Sequence, residues 1–298
     1  MEVVHISLLR GICQLPAYVA KHKGFFAEEG LDVRIEIQPT AWMVPERLRA
    51  GAVQFAVIPW TRVAAASARG DELVLICGSG HEEAAVVVRS GLELHQVRTV
   101  ALPQPGGIKD LTANGLMRSL GWKDCAKIRQ PSGDGAILAL VGQGADAAAM
   151  VEPYATMLQE LGIGYVVRRT GDLWPGAPGC SLTTSRTLLR ERPDLVQRFV
   201  TGFVRGAQWG DHAPEEAAEI ASSYIGVNPK FICTALDHNR PNVRSLENQE
   251  AMARVLEYMK DLGYVAQRPT DYADLRFLRE ALQGTCEVGA NREAAATS

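Results

Sequence analysis

No stretch of this sequence approaches the roughly 18 consecutive apolar residues that span a bilayer, so the chain is not expected to cross a membrane. A surplus of positive charge is missing too: 31 Lys and Arg stand against 34 Asp and Glu, giving a net charge of −3. With no basic face evident, nucleic acid is not an expected partner. The six cysteines (Cys13, Cys77, Cys125, Cys180, Cys233 and Cys286) are scattered singly. No CxxC pair or Cys/His cluster has metal-ligand spacing, so neither a metal site nor a cofactor is expected. Six unpaired thiols suit a reducing compartment better than an oxidising one. The N-terminus enters an apolar strand directly, without a basic or apolar leader region. The expected location is therefore the cytoplasm as the sequence is written, or the periplasm if it is a trimmed mature form. No repeat at solenoid spacing occurs.

What is present is a rhythm of strands and helices. Val3 to Leu9 is a near-continuous apolar run, as for a strand covered on both faces. The loop Arg10 to Leu15 follows, then a helix opened by Pro16 and closed by Gly24. Leu31, Val33, Ile35 and Ile37 alternate with charged residues at the two-residue period of a strand. The pattern repeats through Val53–Ile58, with Thr61 as an expected N-cap, and through Leu73–Cys77 and Ala84–Arg89. A second cycle starts near Arg98, and the Gly- and Pro-rich segment from Trp174 to Gly179 reads as a crossover. Beyond a strand at Cys180 to Thr184 the chain reads as helical, with apolar residues at three-and-four spacing from Leu195 to Ala207. The fold class is thus α/β, with mainly parallel sheets, flanking helices and a helical C-terminal region. Residues 287–298 are small and polar and are expected to be disordered.

Four segments resemble the type II periplasmic-binding-protein-like substrate-binding proteins of the nitrate, alkanesulfonate and thiamine-pyrimidine group. They are LPAYVAKHKGFFAEEGLDV (from Leu15), RLRAGAVQFAV (from Arg47, with Gln54 where Asp is usual), GADAAAMVEPYATMLQELG (from Gly144) and the helical region from Arg190 to Ser222. The resemblance implies two α/β lobes closing on a ligand. Lobe one would hold residues 1–95 and 180–286, and lobe two residues 96–179. It also implies a small-molecule ligand and, for a transport role, an ABC-transporter permease as partner.

The loops at strand ends supply the candidate site. Gly11, Cys13 and Gln14 come from the first loop, Gln38, Thr40 and Trp42 from the second, and Trp60, Thr61 and Arg62 from the third. Trp42 and Trp60 are candidates to stack on a planar ligand, and Arg62 to fork onto a carboxylate. His81 follows a Gly-Ser-Gly turn near the first crossover. Gly106, Gly107, Lys109 and Asp110 open a helix whose N-terminus favours an anion. Glu152 is charged at the end of an apolar strand, where the resemblance places it at the cleft or the hinge, and Cys180 starts the returning strand.

Cys13 carries a second reading. The segment ICQLPAYVA and the triplet Trp60-Thr61-Arg62 are similar to those of aromatic sulfinate desulfinases, which carry a Cys in the equivalent loop. Their added His and Arg-x-Gly-Gly motif is missing here, and the sequence shows no base to activate the thiol. The leading expectation is binding of a small organic ligand, planar or anionic, in an interlobe cleft. The alternative is a cytoplasmic C–S or C–C lyase using Cys13. A pyrimidine-forming enzyme fits poorly, for want of a cysteine-rich iron-binding motif.

Overall fold

The computed structural model describes residues 1–131 and 133–284; the expected tail at 287–298 lies outside them. Among the described residues, ten strands form two five-stranded sheets. In chain order they are β1 (Glu2–Leu8), β2 (Leu31–Ile37), β3 (Phe55–Pro59), β4 (Leu73–Gly78), β5 (Ala84–Arg89), β6 (Thr99–Leu102), β7 (Ala126–Arg129), β8 (Ala147–Val151), β9 (Gly164–Arg169) and β10 (Cys180–Ser185). The first sheet has the order β2-β1-β3-β10-β4 and the second β7-β6-β8-β5-β9. Strands β3 and β4 are buried along their whole length, which explains why they read as unbroken apolar runs.

Each sheet is evenly mixed rather than mainly parallel, with two parallel and two antiparallel strand pairs. Strand β10 runs antiparallel to both β3 and β4. Strand β5 runs antiparallel to both β8 and β9. These reversed strands are the ones that exchange sheets. The chain leaves the first sheet after β4, enters the second at β5, and returns from β9 to β10. Sheet membership therefore places the first crossover between Gly78 and Ala84, and not after residue 95. An apolar strand following β4 carries no mark of which sheet it joins.

The helices are α1 (Leu15–His22), α2 (Phe25–Glu28), α3 (Val44–Arg49), α4 (Trp60–Ser67), α5 (Ile108–Ser119), α6 (Gly133–Val141), α7 (Tyr154–Glu160), α8 (Arg186–Glu191), α9 (Pro193–His212), α10 (Pro214–Ile225), α11 (Pro229–Leu236) and α12 (Gln249–Asp261). The apolar stripe of α9, Leu195 through Ala207, is buried as its spacing requires. Phe199 is its anchor, stacked on Phe55 of β3 at 3.8 Å and on Phe26 of α2 at 4.7 Å between ring centroids. Removing such a buried ring costs about 3–5 kcal/mol. No helix among the described residues is long and apolar enough to cross a membrane.

The C-terminal helical region packs on both lobes. The Tyr264 hydroxyl donates to Asp110 Oδ2 of lobe two at 2.7 Å, and the Trp174 and Tyr258 rings lie 5.4 Å apart. At the hinge the two crossovers run side by side. Gly80 N donates to Cys180 O at 2.7 Å, Gly179 N to Gly80 O at 2.8 Å, and Glu82 N to Ala177 O at 2.9 Å.

Candidate functional site

The strand ends of the two sheets face each other, and loops from both lobes meet there. Arg10, Gln38 and Pro39 from lobe one enclose a cavity of about 40 Å³ with Lys109, Asp134 and Tyr154 from lobe two. Apolar cover comes from Ile137, Met150 and Val151. The lobes touch around it. Thr61 Oγ1 donates to Gly106 O at 2.9 Å, an Arg62 guanidinium nitrogen to Gln104 O at 3.3 Å, and Arg10 pairs with Asp134 at 3.5 Å. Ile12 N donates to Glu152 O at 3.0 Å. The conformation is a closed one.

Two of the expected residues, Gln38 and Lys109, line this cavity. Lys109 stands on the first turn of α5, and burial lowers its pKa against the pull of nearby Cys180, Glu83 and Cys13. Arg10 and Asp134 were not singled out from the sequence, because a charged loop residue looks the same whether it faces solvent or another lobe. Thr40 has extended backbone and makes no side-chain cap hydrogen bond, and it does not line the cavity.

Trp60 is not a ligand-stacking residue. It is completely buried, its Nε1 donates to Pro178 O at 2.9 Å, and its ring stacks on Tyr272. It fastens α4 to the second crossover. Thr61 likewise is not the N-cap of α4, which starts at Trp60 after Pro59; its hydroxyl reaches across to lobe two. Trp42 is 53% exposed and lines a separate groove of about 270 Å³ with Arg62, Gly106 and Tyr264. The Thr61–Gly106 bond joins the lobes beside this groove. The two tryptophans therefore do not form one aromatic box.

The α5 N-terminus is arranged differently from an open anion site. Gly106, at φ +90°, has its N–H bound by Asp110 Oδ2 at 3.1 Å, and Gly107 caps the helix with Arg62 close by. Asp110 is wholly buried and also accepts from Arg129, Asn114 and Tyr264, so it is a structural hub that ties the C-terminal region to lobe two. Arg62 is held between the lobes, its pKa lowered by burial, and its Nε is buried without a partner. His81 sits on the hinge: it bridges to Pro178, and its carbonyl accepts from Asn239.

Glu152 also belongs to the hinge rather than to the cavity. Its Oε2 accepts from Thr156 N at 3.0 Å, and its Oε1 faces Arg169 and, at 3.4 Å, His238 Nε2. Burial raises its pKa, but the His238 hydrogen bond and the Arg169 charge outweigh that and hold it below the ordinary value. Gly11 lies in extended backbone beside this strand end, where a Cβ would make ordinary contact with Glu152 O at 3.5 Å. Gln14 is buried and holds its own loop, accepting from Leu9 N at 3.3 Å and donating to Cys13 Sγ at 3.1 Å.

Cys13 and Cys180 are brought together with Glu83, a residue no sequence pattern marked. Cys180 N donates to Glu83 Oε1 at 3.0 Å, and the Ser79 hydroxyl to Cys13 O. A hydrogen bond from the Cys180 thiol lowers the Cys13 pKa, but burial and the nearby Glu83 charge override it, so the thiol form is favoured. The Cys180 thiol is pushed well up by its bond to Cys13, by burial and by Glu83. Burial raises Glu83. The absence of metal-ligand spacing along the sequence thus did not foretell the fold, which gathers three donor residues from separate segments.

The sequence profile of the NMT1-like family matches residues 2–225. No curated protein matches the chain in sequence. Among solved structures it is similar to the ligand-binding component of an ABC-type import system from Staphylococcus aureus with zinc bound. That likeness has a TM-score of 0.82 at 14% identity, covering 94% of this chain and 99% of the other. It is similar to the periplasmic nitrate-binding protein NrtA from Synechocystis PCC 6803, with a TM-score of 0.82 at 16% identity over 95% and 89% of the two chains. The alkanesulfonate-binding protein SsuA from Xanthomonas axonopodis pv. citri, bound to MOPS, gives 0.73 at 16% identity over 90% and 96%. At these identities the likeness establishes a shared two-lobed periplasmic-binding-protein fold.

Proposed function

The chain belongs to the NMT1-like family, and we propose that it binds a small anion between its two lobes and is held closed by it. The carrying observation is the interlobe cavity, where Lys109 stands against the space while Arg10 is paired with Asp134. With Arg62 also at the lobe junction and Asp110 bound to Arg129, the facing surfaces carry positive charge. At about 40 Å³ the closed cavity holds a few water-sized groups. Ordinary organic-ligand pockets are several-fold larger. A bulkier molecule therefore requires the lobes to part, a hinge closure about the two crossovers. Ligand would bind the closed form better and shift the population toward it. The expectation of a planar ligand loses its support, since Trp60 is core and Trp42 faces another groove.

Solved proteins similar to this chain include a ligand-binding component of an import system, so a permease is the partner class a transport role calls for. The free thiols of Cys13, Cys77, Cys125, Cys180 and Cys233 suit a reducing compartment, which favours a cytoplasmic relative of those components. The lyase reading needs a thiolate, whereas the surroundings of Cys13 favour its protonated form.

A thermal-shift panel tests the proposal, using nitrate, bicarbonate, small carboxylates, sulfinates, sulfonates and neutral pyrimidines. One of the anions should raise the melting temperature, and Lys109→Met should abolish that rise. A neutral pyrimidine stabilising best, with Lys109→Met indifferent, would overturn it.

A further inference from the structure

We infer that Cys13, Glu83 and Cys180, none of which lines the anion cavity, form a binding site for one borderline-soft divalent cation of the Zn²⁺ type, set in the hinge. Their donor atoms, two thiol sulfurs and a carboxylate oxygen, lie within 4.8 Å of one another. All three residues are buried, at 5%, 2% and 4% exposure. Zn²⁺ takes thiolate sulfur at about 2.3 Å and carboxylate oxygen at about 2.0–2.2 Å, so small side-chain adjustments close this ring on a cation. Three protein ligands leave a fourth position for water.

An independent observation points to a ligand. Glu83 Oε1 accepts from Cys180 N, but Oε2 is buried and receives no N–H or O–H donor; only the two thiols face it. The fold keeps room for this carboxylate. A Cβ on Gly179 would stand 2.6 Å from Oε2, and one on Gly80 would run into the carboxylate and stand 2.7 Å from Cys13 Cβ. Glycine at both crossovers is what lets a buried carboxylate lie against two thiols.

The surroundings suit a metal centre. Gln14 Nε2 on Cys13 Sγ and Cys180 N on Glu83 Oε1 are outer hydrogen bonds that orient the donors. Two thiolates and a carboxylate carry three negative charges, a divalent cation leaves one, and neighbouring Lys109 offsets it. On binding, each thiol gives its proton to solvent and its sulfur lone pair to the metal; no electrons are exchanged. Cys13 lies in the loop before α1, Glu83 on the first crossover and Cys180 at the end of the second. A bound cation would therefore tie both crossovers to lobe one and stiffen the hinge.

The test is a Co²⁺ titration of the reduced full-length protein, followed by displacement with Zn²⁺. The expected result is one equivalent bound, with a thiolate-to-cobalt charge-transfer band in the near ultraviolet. Cys13→Ala and Cys180→Ala should each abolish or sharply reduce it. Glu83→Gln should keep both sulfurs and weaken binding at least about tenfold, and Cys77→Ala should change nothing. Zinc-edge X-ray absorption on the unaltered protein guards against misfolded variants and should show two sulfur scatterers completed by oxygen or nitrogen. The inference is overturned by no stoichiometric binding, by a shell without sulfur, by a band that survives in Cys13→Ala, or by a Cys13–Cys180 disulfide in protein kept under reductant.

Discussion

The Thr61 hydroxyl donates to the Gly106 carbonyl at 2.9 Å, and this bond joins the first turn of α4 in lobe one to the loop before α5 in lobe two. Nearby, Arg62 reaches Gln104 O. Contacts between the lobes themselves thus add to the closed form alongside the bound anion. Removing the hydroxyl leaves the fold of each lobe intact while weakening the closed state by about 1 kcal/mol. Thr61→Ala should lower affinity for the stabilising anion about fivefold, read by calorimetry, with the melting temperature of the ligand-free protein nearly unchanged.

Lys109 and Asp134 face the same cavity with opposite charge, so their substitutions should act in opposite directions. Losing a charge-assisted hydrogen bond costs about 1.5–3 kcal/mol. Lys109→Met should therefore weaken anion binding by roughly tenfold to a hundredfold. Asp134→Asn releases Arg10 from its 3.5 Å pairing and should strengthen binding. Calorimetric titration of both variants with the same anion checks the signs.

The crossover glycines make a steric prediction. Gly80→Ala drives a Cβ into the Glu83 carboxylate and toward Cys13. Overpacking of this kind costs about 1–3 kcal/mol. Chemical denaturation should report that loss.

Glu152 sets part of the acid stability. Its folded pKa lies below the ordinary 4.5 despite burial, because of the His238 hydrogen bond and the Arg169 charge. A depressed carboxylate pKa contributes stability that is present above the unfolded value and is lost as pH falls through the folded one. The wild-type melting temperature should therefore fall as the pH drops below about 4.5. Glu152→Gln should start lower at neutral pH, with Arg169 left without its carboxylate, and show a shallower acid limb.

The fold was largely legible because helix and strand periods are local properties. The stripe from Leu195 to Ala207 and the alternation from Leu31 to Ile37 both appear where their spacing puts them. The partners of β5 depend on where the chain turns, which no residue between Ala84 and Arg89 encodes. Trp60 shows the limit at the site. A tryptophan at a strand end reads alike whether it faces a ligand or, as here, donates to Pro178 across the hinge. Gln38 and Lys109 were legible because a loop at a strand end, and the helix turn such a loop opens, have few places to go. Glu83 was not, since its meaning comes from Cys13 and Cys180, which are distant in sequence and meet only when both crossovers are in place.

Small-angle X-ray scattering of the full chain, titrated with the nitrate, bicarbonate, carboxylate and sulfonate set, tests closure on an anion most directly. The ligand-free protein should sample forms more expanded than the closed structure, and the anion that raises the melting temperature should contract it to the closed radius of gyration. A scattering curve that stays unchanged while that same anion saturates the protein would contradict the account.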